Sequence, residues 1–352
     1  MQNNQGPLKI EFCSKKDLTL LQRFLNEDWK KNHILAKNTR LMNWQHYNKN
    51  FNRYNFIISR NNRTGSIEGI LGYIPNKHFD NNIKSNEIFL AIWKVIDNVS
   101  ESMLGMKLIK FLSEKENPDL IFTTGLNISV LPFYKRMGYT TGFLNHYYIV
   151  NNRIEEFQLI EKFSATFNNK DVSQDDRKLK KIHYDDLLNY SVHIEKFCKN
   201  NYKPTKSFTY IINKYQNNPF YDYLFYSIIM ENNLIGICII RIAEYNRHRA
   251  LRLVEFIGLE DSLMNLGEEF QKLLDEYHAE YIDFYNKGLK YEYLSSSGFL
   301  LRKLDSEIIV PNYFEPFEKK NVNIAYAINT NDYADLLLFK GEGDQDRPNQ
   351  IK

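Results

Sequence analysis

Residues 99–112 read VSESMLGMKLIKFL and residues 260–274 read EDSLMNLGEEFQKLL. Each sets Leu-Gly at the head of an apolar pattern with helical spacing, at 104, 108, 109 and 112 in one and 266, 270, 273 and 274 in the other. The pair predicts two helices opening on the same turn, and therefore a chain that is written twice.

The flanking segments agree. Upstream, Tyr54–Tyr73 (YNFIISRNNRTGSIEGILGY) and Tyr223–Ile240 (YLFYSIIMENNLIGICII) both read as β-hairpins with an Asn-containing turn and an early glycine, Gly69 and Gly236, in the second strand. A third strand follows each, EIFLAIWKV at 87–95 and ALRLVEFIG at 250–258. Downstream come two apolar strand runs, DLIFTTGLN at 119–127 and EYIDFYN at 280–286. Short helices ended by glycine close each copy, VLPFYKRMGY at 130–139 and EYLSSSGF at 292–299. Gly105 and Gly138 are 33 residues apart, and Gly267 and Gly298 are 31 apart. The expectation is two copies of one α/β (α+β) domain, 1–165 and 181–352, joined by a polar linker at 166–180. Each copy is a mixed, mostly antiparallel sheet flanked by helices, with one parallel βαβ unit.

Composition narrows the function. With 43% hydrophobic and 14% aromatic residues the chain can bury sizeable cores, and a formal charge of +3 gives no electrostatic footprint for nucleic acid. Three cysteines, Cys13, Cys198 and Cys238, show no metal-ligand spacing. No run of about 18 apolar residues and no signal-like apolar N-terminus is present. A cytoplasmic protein with no metal and no membrane or nucleic-acid partner is expected. The oligomeric state is open.

A glycine at a strand-to-helix turn lets the first-turn N–H groups approach and hold an anion, assisted by the helix dipole. In the first copy Met106 and Lys107 follow the glycine, which suits a phosphate. In the second, Glu268 and Glu269 follow it and would repel one. The turn Met103, Leu104, Gly105, Met106, Lys107 is thus the better anion site. Counting back four residues from the closing glycine gives Tyr134 in the first copy and Leu294 in the second. A phenol can donate a proton and leucine cannot.

The phrase Asn127, Val130, Tyr134, Gly138, Tyr139 resembles the Asn-x-x-Ala-x-x-x-Tyr-x-x-x-Gly-Phe signature of the GNAT superfamily of acyl-CoA-dependent N-acyltransferases. Gly105 is the one glycine kept from that family's diphosphate-loop pattern. The resemblance covers both copies and is similar in layout to the tandem GNAT sugar N-acyltransferases of bacterial surface-polysaccharide (O-antigen, lipopolysaccharide) pathways. It implies transfer of an acetyl or 3-hydroxybutanoyl group from its coenzyme A thioester to the amine of a dTDP-linked amino-dideoxy sugar, in a ternary complex.

The residues then take expected roles. Backbone groups of the strand around Trp93, Lys94 and Val95 polarise the thioester carbonyl. The turn Met103–Lys107 holds the diphosphate, with Asn127 and Tyr134 completing the coenzyme site. Tyr134 protonates the leaving thiolate. His146 or Glu255 is the candidate base, with a water chain as the alternative. Arg252, three residues from Glu255, is expected on the opposite face of a regular strand. Trp44, Arg252, Glu255 and the tail residues Asp344, Asp346 and Arg347 are candidate contacts to the nucleotide-sugar acceptor. Three rival readings stay open: an aminoacyl-tRNA-dependent cell-wall peptide ligase of tandem GNAT fold, a non-catalytic binding module, and a protein or small-amine acetyltransferase of the same superfamily.

Overall fold

The computed structural model describes residues 7–99, 101–162, 175–199, 202–329 and 336–343. The chain divides into two compact units, one running to Thr123 and the other starting at Thr124.

Unit 1 contains β1 (Leu8–Ser14), α1 (Leu18–Phe24), α2 (Ile34–Lys37), α3 (Thr39–His46), β2 (Tyr47–Asn48), β3 (Arg53–Asn61), β4 (Ile67–Pro75), β5 (Glu87–Val95), α4 (Leu104–Glu116) and β6 (Leu120–Leu126), the last of which the division crosses. Its strands lie in the order β1-β3-β4-β5-β6, antiparallel except for β5–β6. The parallel step is the one bridged by α4, as a crossover helix requires. Leu104, Leu108, Ile109 and Leu112 of α4 are buried, which is the helical stripe read from the opening phrase.

Unit 2 contains α5 (Leu131–Arg136), β7 (Thr140–Phe143), β8 (Asn145–Val150), β9 (Lys178–Ile182), α6 (Ser191–Cys198), α7 (Phe208–Ile211), β10 (Tyr223–Met230), β11 (Asn233–Tyr245), β12 (His248–Gly258), α8 (Gly267–Glu276), β13 (Ala279–Lys287), α9 (Tyr291–Ser295), β14 (Leu300–Arg302), β15 (Tyr313–Phe314), β16 (Phe317–Glu318), β17 (Ala325–Asn329) and β18 (Leu338–Phe339). Its main sheet runs β14-β8-β13-β12-β11-β10-β9, with β18 added to β13. Again the one parallel step, β12–β13, is bridged by a helix, α8.

The two copies agree residue for residue where the backbone is irregular. In β5 one extra residue, Ala91, sits between the pairs Gly72↔Ile92 and Tyr73↔Leu90. In β12 the extra residue is Val254, between Ile239↔Glu255 and Ile240↔Leu253. Counted from Gly69 and Gly236, the bulge falls at the same place in both. Left-handed residues also match: Met103 (φ 57°) and Asn265 (φ 59°) two residues before the helix glycine, and Gly138 (φ 84°) and Gly298 (φ 82°) after the short helices.

Two expectations are revised. Residues 178–180, read as linker, open β9, which pairs with β10. Lys178, Lys180 and Lys181 are exposed on this edge strand, and lysine-rich edges look like linker in sequence while guarding a sheet margin. Residues 124–150, read as the end of the first copy, lie in unit 2, because β8 pairs with β13 and β14.

In unit 2, one sheet face packs Leu251, Leu253, Ile240 and Phe284 against Phe270, Leu273 and Leu274 of α8 and Leu294 of α9. The bulge at Val254 turns the alternation by one residue. Arg252 and Glu255 therefore share the other face, opposite Arg241 and Ile239, rather than lying on opposite faces.

Candidate functional site

The ladder between β5 and β6 covers Glu87–Phe89 and Leu120–Phe122 and ends there. β5 continues to Val95, paired on its other side with β4. Among the described residues no strand pairs with β5 beyond Phe89 on the β6 side. The next pair along β4 is bonded, since Ile96 N–H donates to Glu68 O at 3.0 Å. Antiparallel pairs alternate, so the Lys94 amide is directed at β4 while the amides of Trp93 and Val95 are directed away from it. The Val95 amide is thus directed to the side on which the ladder with β6 has already ended.

The helix α4 begins beside this edge. Gly105 is required by close approach, because a Cβ there would lie 2.8 Å from Cζ2 of Trp93. No side chain caps the helix at Met103, whose side chain is 61% exposed. Only its carbonyl is engaged, by Met106 N–H (3.0 Å) and Lys107 N–H (3.2 Å). Leu104 is buried beneath the turn, and the Lys107 ammonium is paired with Glu101. The first-turn N–H groups and one lysine thus surround an uncapped helix start.

Unit 2 carries the counterpart in another state. Ser297 Oγ accepts from Leu266 N–H (2.8 Å), and its hydroxyl donates to Leu263 O (2.5 Å). Glu269 is buried, accepts from Leu179 N–H (3.0 Å) and pairs with Lys272, while Glu268 is exposed. The opening between β12 and β13 is also filled. Pairing ends at Leu253↔Phe284, and beyond it β18 joins β13 through Asn286↔Phe339 and Lys287↔Leu338. The turn Lys340–Gly343 then presses against the bulge: a Cβ on Gly341 would lie 2.4 Å from Tyr215 Oη and 2.6 Å from Val254 O.

Tyr134, on α5, is 2% exposed and packs edge-on against Tyr139 at 5.2 Å. Burial, with the neighbouring Tyr139, pushes its phenol above the usual tyrosine range, so it carries its proton at neutral pH. Asn127 caps the following turn, its side chain accepting from Ser129 N–H at 3.0 Å.

His146 is not placed to act as a base. Arg302 Nε donates to its Nδ1 at 2.8 Å, its Nε2 faces Asp283 Oδ2 at 3.3 Å, and its ring stacks on Tyr285 at 3.9 Å. Nδ1 is taken by Arg302, and burial, with Arg302 and Arg252 nearby, pulls its pKa down to about 4. Asp283 also accepts from Arg252 Nε (3.1 Å), and Arg252 Nη1 donates to Asn312 O (2.6 Å). Arg252, read as an acceptor contact, is a fully used buried residue.

Glu255 anchors a second buried network. Its Oε2 accepts from Lys206 Nζ (2.6 Å) and Tyr215 Oη (2.9 Å). Lys206 also meets Glu342 Oε1 at 2.7 Å, and Lys214 meets Glu342 Oε2 at 3.2 Å. Burial raises the Glu255 carboxyl, while Lys206 and Lys214 outweigh burial at Glu342 and hold it low. The isolated carboxylate in an apolar strand required a partner, and this network supplies it. Lys206, Lys214 and Glu342 were missed in the sequence because they stand in unpatterned or very short segments, and Tyr215 was legible only as one of a cluster of aromatics.

Trp44 is half-buried, with its carbonyl bonded to His78 Nε2 (2.6 Å) and its ring 5.5 Å from Phe79. Asp344, Asp346 and Arg347 lie outside the described residues.

No family model and no curated protein matches the chain. Solved structures do. A probable N-acyltransferase from Enterococcus faecalis matches at TM-score 0.54 and 9% identity, over 91% of this chain and 72% of that one. A GCN5-related N-acetyltransferase from Anabaena variabilis matches at TM-score 0.53 and 10% identity, over the same shares, 91% and 72%. With two mixed sheets, each carrying one helix-bridged parallel step and a bulge at the same position, the chain has the fold of tandem GCN5-related N-acetyltransferase domains.

Proposed function

We propose that the chain is an acyl-CoA-dependent N-acyltransferase, with the donor held by the first copy and the amine of a nucleotide-linked amino-dideoxy sugar as acceptor. One observation carries this reading: the same turn and strand opening occur twice, in the first copy with no side-chain cap and, among the described residues, no strand on β5 beyond Phe89 on the β6 side, and in the second filled by Ser297, Glu269 and residues 338–343. The names of the structural neighbours, an N-acetyltransferase and a probable N-acyltransferase, agree with it.

In this reading the diphosphate of coenzyme A lies on the turn Met103–Lys107, and the amide of Val95 donates to the thioester oxygen. The acceptor nitrogen attacks the carbonyl carbon and the C–S bond breaks. The thiolate takes a proton from Tyr134, and the proton that the nitrogen loses as it becomes an amide returns to the phenolate through water. With His146 and Glu255 committed to buried networks, the proton of the sugar ammonium passes to water. A 3-hydroxybutanoyl or acetyl group is the expected cargo.

Thermal shift with coenzyme A, acetyl-CoA and 3-hydroxybutanoyl-CoA tests the donor site, since a ligand that binds only the folded chain raises the midpoint. Thiol release with a dTDP-linked 3-amino sugar tests the acceptor. No shift with any of the three at millimolar concentration would remove the donor assignment.

A further inference from the structure

Unit 2 retains a small cleft, about 40 Å³ in volume, beside its own filled opening, lined among others by Cys198, Tyr202, Lys206, Phe256, Gly258 and Phe339. The shared bulge equates Phe256–Gly258 with Trp93–Val95, so the cleft is the second copy's version of the acyl-carbonyl edge. Gly258 has no side chain and can present only backbone to the cleft. Leu259 N–H donates to Ile235 O at 3.1 Å, so the alternation of the ladder directs the amides of Phe256 and Gly258 away from β11. Phe256 N–H is taken by Glu255 Oε1 at 3.3 Å, which leaves Gly258 as the donor on this edge.

The rest of the cleft selects against charge. Lys206, the one cation among the described lining residues, meets Glu255 at 2.6 Å and Glu342 at 2.7 Å, and so offers no net charge to a phosphate. The place of a coenzyme diphosphate is taken by Ser297 and Glu269, and that of its arm by residues 338–343. What remains is an amide donor between aromatic walls.

We propose that the second copy has become a reader of neutral N-acyl groups. An amide carbonyl accepts from Gly258 N–H, and its alkyl end lies against Phe256, Tyr202 and Phe339. The proposal does not depend on transfer by the first copy.

Cys198 supplies the reporter. It is partly exposed in the cleft wall, whereas Cys13 and Cys238 are fully buried. Alkylation of Cys198 by N-ethylmaleimide in the full chain, read by peptide mass, is compared with N-acetylglucosamine, glucosamine or acetyl-CoA present. Saturating N-acetylglucosamine should slow it roughly threefold or more, while glucosamine and acetyl-CoA leave it nearly unchanged. Equal slowing by the two sugars, slowing by neither, or greater slowing by acetyl-CoA would overturn the proposal. Independently, N-acetylglucosamine should raise the thermal midpoint of the native chain but not of Cys198→Trp, whose indole fills the cleft. An equal rise in both would also overturn it.

Discussion

Met103 tests the donor site most directly, because there a single substitution pair separates fold from ligand. Its φ of 57° is left-handed, a conformation that costs roughly 1 kcal/mol for most side chains and less for Asn or Asp. The second copy has Asn265 at φ 59° in the same place. Met103→Asn should therefore stabilise the chain slightly, by about 0.5 kcal/mol. Met103→Asp should do the same and gain about 0.3–1 kcal/mol more from the helix dipole. The two are nearly isosteric and differ in charge. With that charge about 7 Å from a diphosphate bearing two negative charges, and an effective dielectric of about 60, the repulsion is about 1.6 kcal/mol. That corresponds to roughly fifteenfold weaker acetyl-CoA binding at low salt. Screening over a Debye length of about 8 Å at physiological ionic strength reduces it to about threefold. Isothermal titration with acetyl-CoA at two salt concentrations, with thermal midpoints of the free variants, gives all the numbers. If the Asp and Asn variants bind acetyl-CoA within twofold of each other at low salt, the diphosphate does not lie on this turn.

Other consequences follow from the same geometry. Tyr134→Phe should lower kcat by about 10²-fold, the scale of general acid catalysis, with the KM for acetyl-CoA unchanged; unchanged kcat would free Tyr134 of the acid role. Glu342→Gln leaves Lys206 and Lys214 short of a buried counter-charge, and should cost about 3 kcal/mol, or roughly 6–12 °C in Tm for a unit of this size. The fully buried His146, held near pKa 4 against an ordinary 6.5, binds its proton more readily unfolded than folded. Stability should thus fall as pH drops from about 6.5 to about 4, at about 1.4 kcal/mol per pH unit from this residue. Denaturant melts across that window should show a shallower slope for His146→Gln. Gly341→Ala forces a methyl against Val254 O and Tyr215 Oη, and overpacking of this kind costs about 1–3 kcal/mol, read as a lower denaturation midpoint.

The repeat was legible because hydrophobic period and glycine placement are local properties. The alternation in β4 and β11, the stripe of α4 and the closing glycines of the two short helices all survive in a single sequence. Lys107 against Glu268 and Glu269, and Tyr134 against Leu294, marked the first copy as the donor side on charge and chemistry alone. The bulge was not legible, since an extra residue in a strand has no composition of its own. For that reason Arg252 and Glu255 were set on opposite faces.

What the sequence determined by itself was the existence of two equivalent units and the identity of the turn that differs between them. Tertiary structure decided which groups are spoken for. His146, Arg252 and Glu255 have the residue types of a catalytic site, yet Arg302, Asp283, Lys206 and Tyr215 engage them from distant parts of the chain. Likewise the two-residue strand Leu338–Phe339 has no pattern to detect. It is ordered by β13, a strand some 50 residues earlier, by the bond from Leu337 N–H to Lys203 O and by the buried charge of Glu342 beside it. Local pattern specifies elements because it acts through backbone periodicity, whereas the filling of a cleft is specified by long-range contacts that leave no trace in spacing.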